Sequence, residues 1–169
     1  IAMGKVFSLS LISLMSATSS FIGVMLSLGK LVTIGEEGGN VNPFEIYALS
    51  DFLMLFAVIL GTVMVVIGLI SVLSAYAKTI KEASMLILPF YFVSVFVGIT
   101  TMFSGEASQA LFSYLIPIYS SVNMIIAILS FEVVGTHFIL MVTSSVVYLA
   151  IFIFVLNKLF QSEKIMFSK

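Results

Sequence analysis

The sequence predicts an all-α, polytopic helical membrane protein: one transmembrane domain over 1–169, with four full transmembrane helices and an external re-entrant helix pair. Three observations carry this. Hydrophobic residues make up 61% of the 169 positions and charged residues 9%, where soluble domains carry about a quarter. Mean hydropathy is +1.26. Four apolar runs, roughly 6–28, 52–76, 85–103 and 138–159, are each long enough to cross ~30 Å of hydrocarbon.

The direction of these spans follows from one short stretch. Ala75–Pro89 holds Lys78, Lys81 and Glu82 between two apolar runs. Burying one such charge at the bilayer centre costs a few kcal/mol or more, so the bridge lies in water. Lysines beside span ends favour the cytoplasmic side. The protein is thus expected to join its second and third spans by a cytoplasmic loop.

The first span, at about 23 residues, exceeds the 7–15 apolar residues typical of a signal-peptide core and reads as a membrane helix. Ser13, Ser16, Ser20, Gly23 and Ser27 fall along one of its faces. That face suits close helix packing in lipid, or a polar lining for a path, with Ser16 and Ser20 its candidates. Residues 29–50 read as an external polar loop. Glu36 and Glu37 precede a Gly38-Gly39 turn signal, and Pro43 excludes a continuous helix. Ser50 is the expected N-cap of the second span, with Asp51 in its first turn beside the helix dipole. Ala57, Gly61, Gly68 and Ala75 form a second small-residue stripe. Pro89 is expected in the first turns of the third span, where a missing N–H does least harm.

Residues 109–131 are the ambiguous piece. Their length permits a crossing, but Pro117 interrupts them, and Tyr114, Tyr119 and Asn123 add polar groups. Parity decides between the options. If the segment crosses, Lys158, Lys164 and Lys169 end outside. If it dips in and returns, six of the seven lysines, all but Lys30, are cytoplasmic, as is each end of this chain. The second arrangement is the expectation, and such irregular backbone must then be covered by protein or line a water-filled cavity.

Several chemistries are excluded by composition. Without arginine, bidentate phosphate recognition is not expected, and a net charge of −1 offers no basic patch for nucleic acid. Without cysteine there is no disulfide, thiolate zinc site or thiol catalysis in this chain. His137 is the single histidine, and no catalytic constellation, metal motif or phosphate loop accompanies it, so neither an enzyme nor a cofactor is expected here. Glu132 and His137 flank a short external turn and could form a pH-sensitive pair, or mark the interface together with Glu106.

Four local signals, in this order, resemble the membrane subunit of type-two ABC exporters, particularly the sodium-extrusion NatB-like permeases. Met3-Gly4-Lys5 is similar to the "GK" that opens that family's third span. Ala77–Ala83 is similar to its "AKSxKEA" segment, with Pro89 in the following proline position. Pro117-Ile118-Tyr119-Ser120 resembles its "PxYN" stretch, with serine replacing asparagine. Phe160–Phe167 resembles its terminal "FxSEKxxF". The resemblance implies the C-terminal half of a longer permease, a second copy or paralogue, and two ABC ATPase subunits as partners. It makes Lys78, Lys81 and Glu82 a secondary ATPase contact, and Pro117, Tyr119 and Ser120 the shapers of an external gate. It also implies a broken helix pair before the last span. The alternatives are a stand-alone membrane accessory protein, or an ion-conducting carrier that uses Asp51, Glu106 or Glu132 without ATP coupling. Sodium is the substrate the resemblance suggests; drugs, peptides and lipids stay open.

Overall fold

A computed structural model describes residues 2–35, 43–104 and 110–166. Every described element is helical: α1 (Ala2–Gly35), α2 (Pro43–Ile46), α3 (Leu49–Tyr76), α4 (Ile80–Ser104), a single 3-10 turn (Leu111–Tyr114), α5 (Tyr119–Leu129) and α6 (Gly135–Met166). Four of the helices contain stretches long and apolar enough to cross a bilayer, Phe7–Ser27, Leu49–Tyr76, Ile80–Thr101 and Gly135–Leu159. The protein is an all-α polytopic membrane protein.

Helix α3 is the hub, in contact with α1, α4, α5 and α6. Its partners give the directions. Phe21 of α1 meets Phe56 edge-on at 5.3 Å, while Leu9 and Ser13 lie beside Met64 and Gly68, so α1 runs antiparallel. Gly61 faces Ser145 and Gly68 faces Phe152, so α6 runs parallel. Because α4 returns antiparallel, Lys78, Lys81 and Lys158 gather at one end of the bundle and Glu45, Asp51 and Glu132 at the other. We call these the lysine end and the acid end.

The helices outrun the apolar runs at several ends. The run at 85–103 is the core of a helix that starts at Ile80, since Thr79 and Glu82 cap it: Glu82 N–H donates to Thr79 Oγ1 at 3.2 Å, and Lys78 N–H donates to Glu82 Oε2 at 3.0 Å. The charged bridge therefore shrinks to Ala77–Thr79. Pro89 consequently sits inside α4 rather than in its first turns, where it lacks the N–H that would have bonded Met85. Ser50 is not the cap of α3. Ala48 takes that place, and Asp51 three residues on accepts its N–H at 2.9 Å. Much of the expected 29–50 loop is helical, as the end of α1 and as α2; Glu36, Glu37 and the Gly38-Gly39 signal fall outside the described residues, as do Glu106, Gln109 and Lys169.

The two small-residue stripes fare differently. The α3 stripe is a packing seam: a Cβ on Gly68 would stand 3.0 Å from Phe152 Cδ2, and one on Gly61 would stand 3.6 Å from Ser145 Oγ. On α1 the inward face is Ser13, Ala17, Phe21 and Val24, with Ser13 and Ala17 buried. Ser16, Ser20, Gly23 and Ser27 point away from the bundle, and nothing lies within 4 Å of a Cβ built on Gly23. Large apolar residues surrounded the serines on both sides, so residue size could not say which face was inward.

Candidate functional site

The segment between α4 and α6 is a hairpin that reaches only part-way through the bundle. Helix α5 has 11 residues, about 16 Å of rise against ~30 Å of hydrocarbon. It starts at Tyr119, beside Ile118, which lines one cleft with Thr62, Val66 and Leu69 of mid-α3. It ends at Leu129, whose carbonyl accepts from Tyr47 Oη at 3.1 Å at the acid end. The chain also enters from the acid end, after Ser104 of α4. The expected re-entrant dip over 109–131 is thus present from Ala110 onward, although its descending limb is one 3-10 turn rather than a second α-helix.

Turning at this depth leaves carbonyls outside any helix ladder, and lipid offers them no donor. Hydroxyls from the flanking helices supply it. Tyr148 Oη of α6 donates to Leu115 O at 3.2 Å, and Ser144 Oγ, also of α6, shares its one proton between Tyr114 O at 3.2 Å and Met141 O of its own helix at 2.9 Å. Tyr47 closes the far end, its ring stacked on Phe131 at 4.9 Å and 14°. Within α5, Ser120, Ser121, Asn123, Met124, Ala127 and Ile128 are buried, a two-turn apolar and small-residue face that fits between α3, α4 and α6. Asn123 Nδ2 donates to Tyr119 O at 2.8 Å.

Both turns of the hairpin use backbone that disfavours side chains. Ile118 has φ 73° and ψ −55°, the γ-turn region, and Phe131 has φ 59°. For a β-branched residue such as Ile118 this is a genuine outlier. It persists because the backbone on each side is fixed: Ser120 N–H donates to Ile116 O and Val122 N–H to Ile118 O. Pro117 pre-sets the torsion on one side and Tyr119 starts α5 on the other, so the "PxY" residues do build the tip. Ser120 is buried behind it.

The other sequence-derived candidates lie apart from this tip. Lys78, Lys81 and Glu82 are exposed at the lysine end, Glu82 accepting Lys78's backbone N–H as a cap. Ser16 and Ser20 face outward. Asp51 caps α3. Glu132 is exposed, whereas the His137 ring stacks on the buried Tyr114 at 4.4 Å and 18°; no ion pair joins the two among the described residues. Many hydroxyls along the spans bond back to their own helix: Ser13 to Leu9 O, Thr62 to Val58 O, Ser94 to Phe90 O, Thr101 to Val97 O. Among the described residues no group of three His, Cys, Asp or Glu could hold a metal ion.

Tyr47, Ser144 and Tyr148 are the site residues that sequence reasoning missed. Each acts on a distant backbone carbonyl, which carries no side-chain signature. Lysine placement points to the hairpin they hold, but not to them.

No family model, curated protein or solved structure matches this chain.

Proposed function

We propose that this chain is the membrane-spanning permease subunit of an ATP-driven ABC exporter, in the cell membrane, with its lysine end and both chain ends on the cytoplasmic side. The observation that carries the reading is the half-depth hairpin on the acid side between the third and fourth spans. The resemblance in the sequence implies such an element at this point of the chain, and lysine placement requires it independently. Its left-handed turn at Ile118 and its hydroxyl-tethered carbonyls suit a gate that exists in two arrangements. Closure of partner ATPase subunits against the lysine end would bias those arrangements through differential contacts. Lys78, Lys81 and Lys158 are exposed cations there, the first two at the junction of α3 and α4; Glu82 holds the start of α4. A second permease copy or paralogue would complete the path. Sodium is the first substrate to assay.

The test exchanges Lys78 and Lys81 for glutamate in the natural protein assembled with its ATPase. Export from inverted vesicles, with radioactive sodium first, and ATPase stimulation by the permease are both expected to fall severalfold. Both quantities unchanged would end the coupling role. Transport that continues at full rate without ATP hydrolysis would replace the exporter by a carrier.

A further inference from the structure

Because the hairpin fills only the acid-side half of the bundle, the space beneath its tip is left without an element. α3 and α4 enclose a cleft there of about 220 Å³, lined by Thr62, Val66, Leu69, Leu73, Ile87 and Tyr91 among others, with Ile118 at its inner end. We infer that this cleft is a lipid site, which takes one acyl chain of an anionic phospholipid from the leaflet on the lysine side, with the headgroup held by Lys78 and Lys81.

Four features fix the class of occupant. The lining is apolar, and the hydroxyls of Thr62 and Ser94 within it are bonded to Val58 and Phe90 carbonyls, so the cleft offers an entering polar group little. From Thr62 to Leu73 it runs about 16 Å along α3, close to the ~15 Å depth of one leaflet. Its volume is below the ~300–1,000 Å³ of sites that enclose drug-sized molecules, which selects a slender chain. Its outer end at Leu73 lies little more than one helical turn before Lys78, and Lys78 and Lys81 are exposed beside Glu82, whose carboxylate is turned to the Lys78 backbone. An acyl chain gains little by leaving lipid tails for an equally apolar cleft. Selectivity must therefore come from the headgroup, where each lysine near an anionic surface is worth about fivefold in binding.

This inference does not rest on the exporter reading, since it concerns binding by the chain in a bilayer. The full chain is reconstituted in phosphatidylcholine vesicles containing a few per cent phosphatidylglycerol with a photoactivatable diazirine near the end of one acyl chain. After irradiation, labelled peptides are mapped. Labelling of the outer face of α4, at the exposed Phe92 and Phe96, serves as the internal measure of insertion and folding. The expected result is cleft labelling, at Val66 or Leu69, enriched severalfold over that face with the anionic probe and not with its phosphatidylcholine counterpart. Lys78→Gln with Lys81→Gln is expected to bring the enrichment down to that of the phosphatidylcholine probe, and Leu69→Trp to remove it while the outer face labels as before. Equal labelling by the two probes, enrichment indifferent to the lysine pair, or a cleft protected from both probes by a protein neighbour would each overturn the proposal.

Discussion

The acid-side and lysine-side halves of this bundle are built from the same four helices, but they are held together differently. On the acid side the hairpin is a fifth packing element. The buried cluster of Ala17, Leu55, Val58, Ile59, Tyr114, Met124, Ile128 and Met141 lies almost entirely there. On the lysine side α3 meets α6 through Gly68 and Phe152, while α4 diverges from α3 around the cleft. In lipid, association depends on contact and hydrogen bonding rather than on expelling water. With one more element and carbonyls met by hydroxyls of its neighbours, the acid-side half is the more closely packed, and the lysine-side half keeps a cleft between α3 and α4.

The largest test of that difference makes one substitution in both halves. Leu55 is 2% exposed in the acid-side cluster, so Leu55→Ala leaves a cavity and is expected to cost about 2–5 kcal/mol. Leu73 already borders open space, so Leu73→Ala should cost under about 1 kcal/mol in lipid, where removing a side chain from a gap forfeits few contacts. Reversible unfolding in mixed micelles measures both. Equal costs would mean that the cleft is as tightly packed as the core, and the contrast would vanish.

A second test concerns glycines. Gly68→Leu forces Phe152 from its place and is expected to destabilise by about 1–3 kcal/mol. Gly23→Leu, on the outward face of α1 with open space around it, is expected to be neutral or to stabilise by up to about 1 kcal/mol through helix propensity. A loss at Gly23 that depends on protein concentration would instead mark that face as a contact between copies.

These comparisons also locate what the sequence made legible. Span number and the half-depth dip follow from the long apolar runs and the lysines between and after them, because charge and length act without regard to packing detail. The α3 stripe was readable because Gly61 and Gly68 have no other reason to recur in a helix. The inward face of α1 was not, since serines lie on both of its sides and the buried one, Ser13, satisfies itself on Leu9 O of its own helix. The start of α4 was written in Thr79-Ile80-Lys81-Glu82, a capping pattern masked by reading those charges only as a loop. The tethers of the hairpin were illegible for a deeper reason: their acceptors are carbonyls, which every residue has.

Those tethers give the smallest effects and the sharpest sign. Interhelical hydrogen bonds in membrane proteins average about 0.6 kcal/mol, with a maximum near 1.7, so Ser144→Ala and Tyr148→Phe are each expected to lose about that much. Tyr47 adds a dependence on pH. Burial, and then the nearby Asp51 carboxylate, hold its phenol above the ordinary value of 10.0, and its neutral O–H donates to Leu129 O. The unfolded chain therefore ionises first as pH rises. The tether's contribution is intact below about pH 10 and is lost progressively as pH climbs through the raised folded-state value. Thermal unfolding between pH 8 and 11 should show this decline in the wild type, and Tyr47→Phe should start lower and lack Tyr47's share of it. If the substituted chain declines in parallel, the hairpin's outer end is held by the stacked Tyr47 and Phe131 rings rather than by the hydroxyl, because phenylalanine keeps the ring and removes only the donor.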